Sequence, residues 1–220
     1  MIFTIYFDQN YLHWAELLIE SINLFEPDAQ IIAYTINITP IISGKNVMIV
    51  PITINSDPNV KLAWKIIEHK MSFLKNSMEM FPGQLHIMLD SDMMVLRSLN
   101  TLKQEMVGMD IGGIMVHNKK VAGGILIANT TSMAEKFIVE TSGRLLDGNY
   151  WYDKDQPLLA EMRNKYMALG LRWLQLDRIY LDHLEREDSY IWSAHKTQYG
   201  TKDERFEKYK KYLHKPEVVI

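Results

Sequence analysis

Leu85-His86-Ile87-Met88-Leu89-Asp90-Ser91-Asp92-Met93-Met94-Val95-Leu96-Arg97 decides how this chain is read. A short apolar run ends in two carboxylates separated by one serine and then turns apolar again, the pattern of a buried strand that delivers two acids to a surface. Strands of a parallel sheet are covered on both faces and are therefore apolar throughout, and ligands of open α/β sheets bind beyond the carboxyl ends of the strands. Asp90 and Asp92 are expected at that edge. Two anions this close repel each other unless a cation lies between them, and a hard divalent metal bound through oxygen is one solution. The other is an Asx-type turn, in which the carboxylates accept from nearby backbone amides.

On either side of this stretch, strands and helices alternate. Residues 2–7 are β-rich, and Asp8-Gln9-Asn10 can cap the helix that follows, where Leu12, Ala15, Ile19 and Ile22 recur at helical spacing until Glu26-Pro27-Asp28. Residues 31–36 and 47–54 are β-branched runs separated by loop signals at Pro40 and Ser43-Gly44-Lys45. Residues 61–80 have helical length and propensity, and Phe81-Pro82-Gly83 stops them just before the central strand. Beyond Arg97 the pattern predicts a short helix at 98–102, strands over 110–116 and 121–129, helices over 131–146 and 153–167, a last strand over 190–195 and a charged terminal helix over 202–215. Pro157 falls near the start of its helix, where proline is tolerated. Gly123 and Gly124 mark either a close backbone approach or a bulge. This order predicts a single α/β domain over residues 1–220, with a mixed, mainly parallel sheet flanked by helices.

Composition narrows the function classes. With 24 basic and 27 acidic residues the formal charge is −3, so no overall basic field calls for nucleic acid. The chain has no cysteine, which removes disulfide and thiol chemistry. Met1 leads directly into the first apolar run with no basic start or cleavage pattern, and nothing approaches the roughly 20 apolar residues of a membrane span. A cytoplasmic enzyme or binding domain is expected.

Other candidates each carry two readings. His195, at the end of a strand, can complete a site with Asp90 and Asp92 that suits manganese or another divalent first-row ion, or it is a hydrogen-bonding loop histidine. Lys70 and Lys202 either balance a diphosphate or belong to solvated helix faces. Asp153, Asp155 and Gln156, beside Tyr150, Trp151 and Tyr152, suit a sugar, with its hydroxyls and apolar face; alternatively these acids favour a helix N-terminus. The run Lys208-Tyr209-Lys210-Lys211-Tyr212 is an exposed helix face or a peripheral contact with an anionic membrane.

Several motifs together resemble a metal-dependent glycosyltransferase. These are Tyr6-Phe7-Asp8-Gln9-Asn10-Tyr11-Leu12, Leu89-Asp90-Ser91-Asp92 with its apolar continuation to Leu99, Ala122-Gly123-Gly124-Ile125-Leu126-Ile127-Ala128-Asn129, Asp155-Gln156, and His195 with Gly200 and Lys202. Their order is similar to the GT-A-fold family that contains glycogenin and bacterial lipopolysaccharide galactosyltransferases. The resemblance implies one Rossmann-type GT-A domain that moves a sugar from a nucleoside-diphosphate donor, with uridine as the base, to an acceptor hydroxyl with retention. The acceptor would be a glycan, a lipid-linked glycan or a protein. Asp90, Asp92 and His195 would hold Mn2+ or Mg2+ against the donor diphosphate. Asp8, Asn10 and Tyr11 would contact base and ribose, Lys202 the diphosphate, and Ser91 and Lys70 the donor. Gly123 and Gly124 would face the donor sugar, with Asp155 and Gln156 as catalytic residues near the reacting carbon.

The chain departs from the family in three places. Ala122 stands where asparagine is usual, Pro157 follows the Asp-Gln pair, and His195 lies further from Gly200 and Lys202 than in the common pattern. Two other classes stay open. A haloacid-dehalogenase-type phosphatase would use the first Asp as a covalent nucleophile, although Met94 stands where threonine or valine is expected. A catalytically silent sugar-nucleotide-binding domain would keep the fold and the metal.

Overall fold

The computed structural model describes residues 1–42, 44–55, 60–116, 119–147, 155–184, 186–194 and 200–213. Strand β1 (Ile2–Phe7) is buried at every position and leads through a 3-10 turn at Gln9–Tyr11 into α1 (Leu12–Phe25). Then come β2 (Gln30–Ile36), β3 (Val47–Ile52), α2 (Leu62–Met80), β4 (Leu85–Asp90), β5 (Met93–Val95) and α3 (Asn100–Glu105). The second half adds β6 (Ile111–Gly113), β7 (Met115–Val116), β8 (Lys120–Val121), β9 (Ile125–Asn129), α4 (Ser132–Leu146), α5 (Asp155–Ala168), β10 (Trp173–Gln175), β11 (Ile191–Ser193) and α6 (Lys202–Lys210).

Among the described residues, seven strands form one sheet in the order β10-β6-β9-β4-β1-β2-β3. The four strands β3, β2, β1 and β4 run parallel, β9 is antiparallel to both β4 and β6, and β10 is parallel to β6. This is the mixed, mainly parallel sheet that the alternation of elements predicts. Side chains alternate across it with a period of two. Ile2 and Tyr6 face the layer built by Phe73, Leu74 and Met78 of α2 and Phe137 and Ile138 of α4. Phe3, Ile5 and Phe7 face the layer built by Ala15, Leu18, Ile19 and Ile22 of α1 and Leu102 of α3. Both faces are covered, which is why β1 and β4 are almost unbroken apolar runs.

Three expected elements come out differently. The strand expected over 110–116 breaks at Ile114, whose carbonyl accepts from Ala122 N at 2.8 Å as β7 leaves to pair with β8. The strand expected over 121–129 is likewise split by a turn at Gly123-Gly124. The last strand, β11, stands outside the main sheet and pairs antiparallel with β5. There Trp192 is fully buried and stacks on Tyr209 of α6, with ring centroids 4.0 Å apart. Tyr209 is thus part of an apolar cluster with Phe206, Met94 and Leu17, and the basic run 208–212 is not a uniformly exposed face. Helix α6 starts where expected, with Thr201 and Glu204 forming a capping box.

β5 is tied to α1 as well as to β11. Ser21 Oγ, buried in α1, donates to Leu18 O at 2.7 Å and accepts from Val95 N at 3.1 Å. Ser21→Ala removes the acceptor and leaves the Val95 N–H buried without it. The expected cost is about 1–3 kcal/mol of folding stability, read as a lower urea midpoint at unchanged slope.

Candidate active site

The site begins with the register of two neighbouring parallel strands. Tyr6 of β1 pairs with Asp90 of β4 at the carboxyl ends of both. Just beyond β1, buried Asp8 accepts from Asn10 N at 3.0 Å and Asn10 Nδ2 at 3.3 Å, which turns the chain into α1. Beyond β4, Asp90 N donates to Gly124 O at 3.0 Å, and the chain passes through Ser91 and Asp92 into β5. Ala194 N then donates to Asp92 O at 2.9 Å, so β11 holds the second acid from its other side.

A cavity of about 450 Å³ opens here. Of the residues predicted from sequence, Asp8, Tyr11, Asp90, Ser91, Asp92, Gly123, Gly124, Gln156 and Lys202 line it. Asn10, Lys70 and Asp155 support the wall without lining it. His195 lies outside the described residues, as do Tyr150, Trp151, Tyr152 and Asp153.

Neither acid carries the backbone hydrogen bonds of an Asx turn among the described residues. Asp90 Oδ1 accepts from the Tyr6 hydroxyl, and Asp92 Oδ2 accepts from the Lys202 ammonium. The Asp90 carboxyl is raised to about 6, chiefly by burial; the charge of Lys70 and the Tyr6 hydroxyl oppose the rise, and Asp92 and Asp155 add to it. Burial beside the same carboxylate raises the Tyr6 phenol well above its usual range. Lys202 also lies over the rings of Tyr11 and Trp14, with its Nζ 4.8 and 5.0 Å from their centroids. Burial alone would lower its pKa, but Asp92 outweighs that and raises it. Trp14 Nε1 donates to Asp203 Oδ1 at 3.0 Å and so docks the start of α6 on α1.

The solvated-face reading fails for both lysines. Lys70 is 2% exposed and is paired with Asp155, itself 5% exposed. Lys70 also donates to Gly123 O at 3.3 Å. This pair explains Gly123. A Cβ on Gly123 would stand 2.6 Å from Asp155 Oδ2 and 2.7 Å from Lys70 Nζ, and one on Gly124 would strike Met93 and approach Asp90 Oδ2 to 3.2 Å. At Gly123, close approach to this buried pair, rather than a special backbone angle, is what disfavours a side chain.

Several lining residues escaped the sequence reading. His183 and Leu181 flank Asp182, which accepts from Leu184 N, Arg186 N and Ser189 Oγ at 2.7–2.9 Å. Burial would raise the Asp182 carboxyl, but these donors hold it below its usual value. Ala63, Ile66 and Ile67 of α2 form an apolar wall. Ile66 and Ile67 stand four and three residues before Lys70, a helical spacing that could have linked them to it. Tyr6 had no local signal, because its role depends on β1 pairing with β4.

As a cation site, the donor set is two carboxylates lining a cavity of mixed polar and apolar walls, which suits a small hard ion that completes its shell with phosphate oxygens and water. Among the described residues no three His, Cys, Asp or Glu side chains converge.

No protein-family model matches the sequence, and no curated protein matches it. Solved structures do match. An active-site mutant of LgtC, and the galactosyltransferase LgtC in complex with donor and acceptor sugar analogs, each align at TM-score 0.60 and 12% identity over 99% of this chain and 98% of theirs. The glycosyltransferase GlyE of Streptococcus pneumoniae TIGR4 aligns at TM-score 0.63 and 12% identity over 98% of this chain and 60% of its own. The chain has the GT-A fold of these glycosyltransferases. In this GT-A domain the cavity lies at the carboxyl ends of β1 and β4, where open α/β sheets bind ligands.

The Lys70–Asp155 pair gives a direct test of the wall behind the cavity. Lys70→Met leaves a buried carboxylate without its cation and is expected to cost about 3–5 kcal/mol in denaturant unfolding. Adding Asp155→Leu removes the orphaned charge, and the double variant is expected to recover more than half of that loss.

Proposed function

We propose that this chain is a glycosyltransferase that moves a sugar from a nucleoside-diphosphate donor, UDP by family resemblance, to an acceptor hydroxyl. One observation carries the reading: a single cavity is lined at once by Asp90-Ser91-Asp92, Gly123-Gly124, Gln156 and Lys202. The shared fold supports it, since LgtC was crystallised with donor and acceptor sugar analogs. It also favours transfer over the phosphatase reading.

Each residue then has a chemical task. Asp8 and Tyr11, which line the cavity, and Asn10, which is hydrogen-bonded to Asp8, would contact the base and ribose. Asp90 and Asp92 would hold Mn2+ or Mg2+, with His195, which lies outside the described residues, as the third ligand that the family resemblance implies. When bound, the ion supplies Lewis-acid stabilisation to the charge on the departing diphosphate. Lys202 adds a second positive charge there, exchanging Asp92 for a phosphate oxygen. The Gln156 amide, on the cavity wall, hydrogen-bonds the donor sugar or the acceptor. Asp155 acts as a positioning residue: its carboxylate is taken by Lys70 behind Gly123. A base that abstracts the acceptor proton needs a free carboxylate within reach of it, and Asp155 does not line the cavity. Retention, with the leaving phosphate taking that proton, is what the family resemblance implies.

A thermal-shift screen of UDP- and GDP-sugars, with and without Mn2+, tests the reading. A donor at 100 times its Kd adds about 2.7 kcal/mol of stability, enough for a clear rise in Tm. The expected result is a Mn2+-dependent rise that Asp92→Ala abolishes, together with nucleotide release when an acceptor alcohol is supplied. No shift with any donor overturns the proposal, and binding with no release under any acceptor leaves a silent sugar-nucleotide-binding domain in its place.

A further inference from the structure

We infer that Tyr6 is a positioning residue for the cation site: it holds Oδ1 of Asp90 and leaves Oδ2 as that residue's free oxygen, so that the site prefers Mn2+ or Mg2+ to Ca2+. This rests on the reading of Asp90 and Asp92 as cation ligands.

Tyr6 is 7% exposed, and its ring packs against Phe73 with centroids 5.7 Å apart. Strand pairing brings it directly beside Asp90, and its hydroxyl donates to Asp90 Oδ1. The other oxygen, Oδ2, lies against Gly124, on the cavity lining, at a point where any Cβ would crowd it. One carboxylate oxygen is thus engaged by a fixed donor, and the other lies beside Gly124 and the Met93 side chain at the cavity lining.

The consequence follows from ion size. Ca2+ gathers six to eight oxygens and readily takes both oxygens of a carboxylate, whereas Mg2+ is smaller and demands near-octahedral geometry. A carboxylate with one oxygen occupied disfavours the larger ion. Groups that orient a metal ligand typically contribute 10–100-fold to metal affinity.

The fold provides a matched control. Tyr34 is the register partner of Tyr6 on β2, stacks on the same Phe73 at 4.7 Å, and has its hydroxyl 3.3 Å from Ser77 Oγ, away from the cavity. Tyr6→Phe and Tyr34→Phe each delete one buried hydroxyl and keep a ring against Phe73, so both are expected to fold with similar losses in Tm.

Mn2+ is titrated into each protein in the presence of saturating UDP or GDP, with free Mn2+ counted by electron paramagnetic resonance, and bound Mn2+ is then displaced with Ca2+. Tyr6→Phe is expected to bind Mn2+ about tenfold more weakly or worse and to narrow the Mn2+-to-Ca2+ affinity ratio, while Tyr34→Phe matches the wild type in both. If Tyr6→Phe matches the wild type in affinity and ratio, or if both variants shift alike, the inference is wrong and the hydroxyl is structural. If the wild type itself binds no Mn2+ with either nucleotide, the assignment of Asp90 and Asp92 as ligands falls too, and this inference falls with it.

Discussion

Asp90, at the open end of β4 beside β1, is buried and feels the charges of Asp92 and Asp155, and this repulsion is the constraint that the surrounding structure answers. Two unit charges 4 Å apart interact by about 4 kcal/mol at an effective dielectric of 20, so a cluster of like charges here needs compensation within the fold. It comes from elements far apart in sequence. Lys70 of α2 reaches Asp155 across 85 positions, and Lys202 of α6 reaches Asp92 across 110. The missing side chain at Gly123 leaves room for the first of these pairs.

The two ion pairs differ in environment, and the difference separates frame from site. Lys70 and Asp155 have side chains 3% and 7% exposed, so either one left alone is a charge buried in low dielectric. That pair is a fixed part of the wall. Lys202 and Asp92 are 22% and 13% exposed and line the cavity, so water and incoming anions compete for the ammonium. Its position over Tyr11 and Trp14 adds cation–π attraction to the ion pair.

A fold shared with LgtC and GlyE at 12% identity means that the backbone plan tolerates wide changes of side chain. Such a plan hosts different chemistries, so the function has to be argued from the site. What this chain does with the plan is specific: a tyrosine on β1 against the first acid, an alanine at 122 before the two glycines, and an apolar wall of Ala63, Ile66 and Ile67 from α2. The small sheet of β5 and β11 then fixes the second acid, through Ser21 on one side and the buried stack of Trp192 on Tyr209 on the other.

Much of this was legible locally. A strand covered on both faces must be apolar, so two acids at its end stand out against the pattern, and the alternation of strand and helix follows from periodicity and from Pro and Gly punctuation. Short elements were not: β10, three residues long, takes its place at the sheet edge through pairing with β6, and Ile114 and Gly123-Gly124 end strands that look continuous in one dimension. Nor does sequence say whether Lys70 is solvated or buried, since its helix shows the same spacing either way. The sequence by itself determined which residues are charged and that Asp90 and Asp92 end a buried strand. Only the tertiary structure decided which cation or hydroxyl meets each carboxylate, because electrostatic and hydrogen-bond partners are chosen by distance through space, and strand register and helix docking set those distances.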